Sequence, residues 1–370
     1  MATGAKQQRI FKNPEEKLTA LCGAIGRADR SSKVLSLFRE MWRESGLRPF
    51  DAEPRWSGLT DDSTPTEFSV VFCGRAEPRL RVLFEPQGDP ASPQTYWDAG
   101  CRMTRVLERR WGASIDQALK VEDIFVPEDP DMFLCLGHAV ELDDEPAFKM
   151  YFNAMAKGPS RAAECVDEAF RRLGYSRPWE ELRKVLGPSD RIELFALDLT
   201  PVTRLKLYLR PMQADMDHIT RLYSVSTTAE PGDVKMMWDF LAKPRVPENS
   251  RPVFLTYQFN EPGDDRPSRT ALSIPLFPGV RSDLAAERRT CRLLRALGTP
   301  VESYKACVRA MADAPLSEEE GIHSYIALQR NPRDVAVVAY FNPRAYFPRY
   351  GWLARDGSRT WPTAVGAPLA

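Results

Sequence analysis

Five times along the chain, two short apolar runs flank a turn of polar residues, glycine and proline, which is the mark of an antiparallel hairpin. The paired runs are TEFSVVFC and RLRVLFE, MFLCLGHAVEL and AFKMYFNAM, RIELFALDL and RLKLYLRP, PVFLTYQF and RTALSIPLF, and IHSYIALQ and DVAVVAYF. Equivalent points in the second strands are Arg81, Lys149, Lys206, Ala271 and Val338, separated by 68, 57, 65 and 67 residues. Between hairpins lie segments with helical spacing of apolar residues, such as SSKVLSLFREMWRES, QTYWDAGCRMTRVLERRWG, RAAECVDEAFRRLGY, GDVKMMWDFLAK and DLAAERRTCRLLRAL. Each unit therefore reads helix, helix, strand, strand. Ten antiparallel strands with helices segregated from them can form an open sheet or a barrel inside a ring of helices. Closure removes the exposed edges, and ten strands enclose more room than the eight that side chains can fill. The expected architecture is an α+β barrel with a central chamber. It is read as a single domain across residues 1–370, with a flexible N-terminus at 1–15 and a tail at 358–370; two unrelated α+β domains are the alternative.

Residues two apart on a strand share a face. Lys149 and Tyr151 therefore point one way, as do Arg204, Lys206 and Tyr208, while Phe148, Met150 and Phe152, and Leu205, Leu207 and Leu209, point the other. If helices cover the apolar face, the basic and aromatic face lines the barrel interior, and Arg81 occupies the equivalent point of the first hairpin. On a single strand these residues would be read as a solvated face; the match between strands one period apart favours a site. Cations that converge on one chamber repel one another, so an anionic ligand is the natural reason for their presence, and a diphosphate fits. Tyrosine faces attract a cation through the ring quadrupole without attacking it. Tyr151 and Tyr208 could thus shelter a carbocation beside a leaving diphosphate, joined by Tyr325 and Tyr340, which the turn at Asn331 and Pro332 would bring to one face.

Bulk composition narrows the partners. Fifty-one Lys and Arg balance fifty-one Asp and Glu, so the formal charge is zero and no surplus is available for nucleic acid. No stretch has the length and apolarity of a signal peptide core or a spanning helix, so a cytoplasmic protein without membrane partners is expected. Seven cysteines without a C-x-x-C pair read as reduced packing residues. No helix carries a sustained heptad seam, which makes a monomer the default.

With T-P-T-E at 64–67, R-V-L-F-E-P at 81–86, K-M-Y at 149–151, R-L-K-L-Y at 204–208 and H-S-Y at 323–325, the chain resembles the indole prenyltransferases of the dimethylallyltryptophan synthase type. Their barrel of repeated α-α-β-β units is called the ABBA or PT fold, and the likeness covers nearly the whole chain, which at this length looks more like bacterial members than fungal ones. The resemblance implies that Glu67 holds the indole N–H, that Arg81, Lys149, Arg204 and Lys206 bind the diphosphate, and that Tyr151, Tyr208, Tyr325 and Tyr340 form a tyrosine shield. Ala271 and Ser273 depart from the family, which often has a polar residue and a tyrosine there; the smaller side chains open the chamber and could admit a geranyl in place of a dimethylallyl group.

The implied reaction is electrophilic aromatic substitution, in which the prenyl diphosphate is a co-substrate and fixed cations hold the leaving charge. The acidic pairs Asp61-Asp62, Asp143-Asp144 and Asp264-Asp265 lie in turns or loops and none forms D-D-x-x-D, so no metal or other cofactor is expected. His138, read as lying roughly opposite Tyr151 on the inner face, is a candidate acceptor for the final proton, although a lone strand histidine is more often structural. Two rivals stand beside this reading. One is a barrel prenyltransferase for phenolic or phenazine acceptors, and the other a non-catalytic barrel that carries an amphipathic phosphorylated ligand.

Overall fold

The alternation of apolar and polar residues that marks each hairpin is what lets the sheet close around one interior. In the computed structural model, which describes residues 12–42, 45–49, 57–60, 62–132, 134–143, 145–212, 215–242, 252–276 and 279–346, ten strands follow five helix pairs. The first repeat is α1 Lys12–Ala24, α2 Ser31–Trp42, β1 Thr66–Cys73 and β2 Arg79–Phe84, and the second is α3 Pro93–Trp111, α4 Asp116–Leu119, β3 Leu136–Leu142 and β4 Ala147–Asn153. The third is α5 Ala162–Leu173, α6 Ser176–Arg183, β5 Arg191–Asp198 and β6 Leu205–Arg210, and the fourth is α7 Met216–Tyr223, α8 Gly232–Met237, β7 Phe254–Phe259 and β8 Arg269–Pro275. The fifth is α9 Asp283–Ala296, α10 Glu302–Met311, β9 His323–Arg330 and β10 Val335–Phe341. The strands form a closed antiparallel barrel in the order β1-β10-β9-β8-β7-β6-β5-β4-β3-β2. Five α-α-β-β repeats and ten strands stand as expected.

Local chemistry starts and stops the helices where the strands need them. Ser92 caps α3 by accepting from the Thr95 N–H, Thr95 bonds back to the Ser92 N–H, Pro93 fills the first turn, and Gly112 ends the helix at φ +70°. Ser282 and Asp215 cap α9 and α7 in the same way.

The wall of the barrel separates two apolar clusters. Outward residues such as Phe68, Phe72, Phe84, Phe152 and Leu207 belong to the large core beneath the helices. There Phe125 stacks on Phe152 at 4.8 Å and Phe170 meets Phe259 at 4.8 Å edge-on. Truncating such a ring to alanine typically costs about 3–5 kcal/mol, so this layer holds the barrel closed. The inner cluster is small: Val71, Ala327, Ala336 and Val338, with Cys73 and Tyr340 against it. Residues of the chamber thus do little to hold the fold.

One expectation changes here. Lys12–Glu15, placed in a flexible terminus, form the start of α1; the remainder of that terminus and the tail at 358–370 lie outside the described residues. The seven cysteines are free, five of them buried, in line with a packing role. Among the described residues no helix is long and apolar enough to cross a membrane.

Candidate active site

The strand registers sort the inward residues into levels. At one mouth of the barrel stand Arg79, Glu141, Asp198, Arg204, Gln258 and Arg269; Arg81 is paired across strands with Glu141, Lys149 with Asp198, Lys206 with Gln258 and Gln258 with Arg269. One step deeper come Arg81, Lys149, Lys206, Ala271 and Val338, the five points that repeat along the sequence. Small side chains stand beside them: Ala139 pairs with Lys149, Ala196 with Lys206 and Ala327 with Val338. Deeper again lie Tyr151, Tyr208, Tyr325, Tyr340, Phe254, Ser273 and Glu67.

The cations are only partly neutralised. Glu141 accepts from Arg81 Nε at 2.5 Å and Arg79 Nη1 at 2.7 Å. Asp198 sits 3.2 Å from Lys149 Nζ and accepts from Arg204 Nε at 2.6 Å. Burial would raise both carboxyls, yet their basic neighbours hold each below its ordinary value. Burial acts against Arg81 too, and Glu141 together with Tyr340 and Tyr151 more than offsets it. Lys149 is lowered by burial despite Asp198. Lys206 falls well below the usual lysine range through burial and the repulsion of Lys149 and Arg81. Burial, with Arg204, Arg81 and Arg79 nearby, brings Arg269 down to about 10. Among the described residues neither Lys206 nor Arg269 makes a hydrogen bond or ion-pair contact. Six cations around two carboxylates form a seat for a polyanion.

Below the cations the aromatic residues meet as pairs. The Tyr151 and Tyr208 rings are 5.8 Å apart, Tyr325 and Tyr340 6.4 Å apart edge-on, and Phe254 lies 5.8 Å from Tyr325. Phe254 is the strand partner of Ser273. The opening expected at Ser273 is therefore lined by an aromatic ring from the adjacent strand, whereas Ala271 lies between Thr256 and Gln329.

Glu67 projects inward from β1 and accepts a 2.6 Å hydrogen bond from Ser324 Oγ. A bulge makes that contact. Ile326 pairs with Ala339 and His323 with Phe341, so Ser324 and Tyr325 together face the single residue Tyr340. The alternation of β9 breaks there, and Ser324 turns into the barrel beside Tyr325.

His138 is misplaced by the sequence reading. Gly137, not His138, pairs with Tyr151, and His138 pairs with Met150. A shift of one residue moves a side chain to the other face. His138 points at α3, where its Nε2 lies 2.8 Å from Thr104 Oγ1. It is fully buried, and burial drives its pKa down to about 3, which keeps the ring neutral. It cannot receive a proton from a ligand in the chamber.

Sequence reasoning missed Arg269, the counter-ions Glu141 and Asp198, Phe254 and Ser324. Arg269 was open to discovery, since it lies two residues before Ala271 on the same face. The other four depend on cross-strand register. The acidic pairs are used locally where they are described: Asp62 accepts from the Tyr346 and Thr64 N–H groups, Asp143 stands 3.6 Å from Arg30, Asp264 accepts from Ser268 and Asp265 pairs with Arg177 at 2.5 Å. Asp61 and Asp144 lie outside the described residues. Among those described, no group of three or more His, Cys, Asp or Glu is placed to hold a metal ion.

The profile of the family described as tryptophan dimethylallyltransferase matches residues 27–307. In structure the chain is similar to 5-dimethylallyltryptophan synthase from Streptomyces coelicolor, with a TM-score of 0.86 and 28% identity over 92% of this chain and 99% of that one. It is also similar to 6-dimethylallyltryptophan synthase from Micromonospora olivasterospora in complex with DMASPP and Trp, at a TM-score of 0.86 and 28% identity over 92% and 98% of the two chains. The prenyltransferase PriB with product diphosphate matches at a TM-score of 0.83 and 30% identity, covering 92% and 97%.

Proposed function

Starting from the fact that this chain belongs to the tryptophan dimethylallyltransferase family, we propose that it moves a dimethylallyl group from its diphosphate to the indole ring of tryptophan by metal-independent electrophilic substitution. The observation that carries this reading is the stack inside the barrel: six cations around only two carboxylates, directly above a band of paired tyrosines. Arg81, Lys149, Arg204 and Lys206, joined by Arg269, hold the diphosphate. As the allylic C–O bond breaks, they receive the charge that collects on the leaving group. The allyl cation is left among Tyr151, Tyr208, Tyr325 and Tyr340, whose faces stabilise it without forming a bond. Glu67, steadied by Ser324, accepts the indole N–H and raises the electron density of the ring, which attacks the cation. The alkylated carbon then passes its proton to the released diphosphate held among the cations, and aromaticity returns.

Glu67 also favours an N–H-bearing ring over a phenol, for which a carboxylate at that point has less use. Phe254 beside Ser273 supports the dimethylallyl over the geranyl donor. A cytoplasmic monomer is the accompanying proposal, tested by cell fractionation and gel filtration. The test is incubation with dimethylallyl diphosphate and tryptophan in excess EDTA, with products read by mass spectrometry. Singly prenylated tryptophan is the expected result. Loss of activity that added Mg²⁺ restores would overturn metal independence, and binding without turnover would leave a carrier.

A further inference from the structure

Glu67 is met by a strand that leaves its regular course, and what holds that strand lies on the other side of the barrel wall. The two residues at the bulge of β9, Ser324 and Tyr325, follow directly on His323, which is buried beneath the helices. Asp283, the first residue of α9, reaches this point. Its Oδ2 accepts the Ile322 N–H at 3.0 Å, and its Oδ1 accepts the His323 N–H at 3.1 Å and lies 2.6 Å from His323 Nδ1. A carboxylate only accepts, so Nδ1 bears the hydrogen of that contact. The other ring nitrogen lies 2.8 Å from the hydroxyl of Tyr304 on α10. On the far side of the bulge, the Ser324 carbonyl accepts the Leu276 N–H at 3.2 Å. Asp283, Tyr304, His323 and Ser324 are all buried, so water does not compete for these bonds.

Strand geometry ties this outer cluster to the chamber. Were the alternation unbroken from Tyr325, which faces the chamber, Ser324 would point at the helices and His323 into the barrel. The bulge reverses both. Holding His323 outward against Asp283 is therefore the same event as turning Ser324 Oγ inward, where it donates to Glu67 Oε1 at 2.6 Å. Resting on the reading of Glu67 as the indole anchor, we propose that Asp283 and His323 are positioning residues of the reaction, which place Ser324 against Glu67 and so fix the carboxylate for the acceptor ring. The demand for such a brace is geometric, since a misplacement of about 1 Å in a reacting pair can cost on the order of a hundredfold in rate.

The discriminating experiment is a double-mutant cycle on the full chain, with tryptophan and saturating dimethylallyl diphosphate. Ser324→Ala and His323→Leu should each slow prenylation about tenfold, as for loss of a hydrogen bond to a charged group. The share of dimethylallyl alcohol should rise, and affinity for an unreactive thiolo-diphosphate analogue should stay as it was. His323→Asn, whose amide N–H can take the place of Nδ1–H, should recover the parent rate to within about threefold. In the Glu67→Gln background the same substitutions should add less than about twofold, because residues that act through one group are not additive with its loss. Should His323→Leu not fold, as judged by thermal melting, Tyr304→Phe takes its place: about a threefold loss is expected with Glu67 present and none in the Glu67→Gln background. Equal losses in the two backgrounds, no loss in either, or analogue affinity that falls as far as the rate would each overturn the brace and leave Glu67 as the anchor. If Glu67→Gln itself has no effect on prenylation, the anchor reading fails and the brace fails with it.

Discussion

The two faces of the barrel wall treat polar groups differently. On the helix side, the His323 ring nitrogens lie 2.6 Å from Asp283 Oδ1 and 2.8 Å from the Tyr304 hydroxyl, and Asp283 also accepts the backbone N–H groups of Ile322 and His323. His138 on Thr104 belongs to the same side. On the chamber side, Lys206 and Arg269 have neither a hydrogen bond nor an ion-pair contact among the described residues, and burial lowers both. A buried polar group that the fold satisfies is part of what stabilises it. A buried cation that the fold leaves unmatched destabilises it until a ligand arrives. Helix-side residues should therefore govern melting, Asp283 and His323 reaching turnover as well through Ser324, and chamber-side residues turnover.

The largest effect is expected from Lys206→Met, which keeps most of the side-chain volume and removes the charge. Turnover should fall on the order of 10²–10³-fold, the usual loss when one fixed donor to developing charge is removed. Titration with an unreactive thiolo-diphosphate analogue should show weaker binding. The ligand-free variant should melt at a higher temperature than the parent, because a lysine lowered by folding carries a penalty that is full below its folded pKa and fades as pH rises toward its ordinary 10.5. That advantage must shrink as the buffer is made alkaline; a lower melting point at neutral pH would contradict the contrast between the two faces.

Glu67→Gln should reduce turnover about a hundredfold, as for loss of a positioned charged partner of the reacting ring. Affinity for the thiolo-diphosphate should stay as it was. Unchanged turnover would remove Glu67 as the indole anchor.

Tyr208→Ala removes a surface that matters once the allyl cation exists, worth about 2 kcal/mol in a dry site, or about thirtyfold in rate. Analogue affinity should barely move, and prenyl alcohol should appear among the products as water reaches the cation. Weakened analogue binding as large as that of Lys206→Met would put Tyr208 in the wrong group.

The smallest kinetic effect belongs to the helix side. His138→Asn should leave kcat/KM within about twofold while the lost hydrogen bond, about 1 kcal/mol, lowers the melting temperature by about 2 °C. A large fall in turnover without loss of stability would return His138 to the reaction.

Much of the molecule could be read before folding. Face alternation is a local property with a period of two, so the sharing of one face by Lys149 and Tyr151, and by Arg204, Lys206 and Tyr208, follows from the strands alone. The near-constant spacing of Arg81, Lys149, Lys206, Ala271 and Val338 along the sequence likewise placed them at one depth of the barrel. What could not be read was which residue meets which across strands. The His138 error came from a hairpin register wrong by one residue. The contact of Ser324 with Glu67 spans 257 positions and depends on a bulge in β9. Glu141 beside Arg81, Asp198 beside Lys149 and Phe254 beside Ser273 each require the stagger of neighbouring strands.

The sequence by itself determined the repeat, the strand faces and the cation and tyrosine sets, because these follow from short-range geometry that every extended chain obeys. Only the tertiary structure decided the charge balance at the mouth, the bulge that aims Ser324, and the placing of Asp283 behind it. Those depend on the shear with which the barrel closes, and closure is set jointly by every strand pair and by the packing of the helices around them.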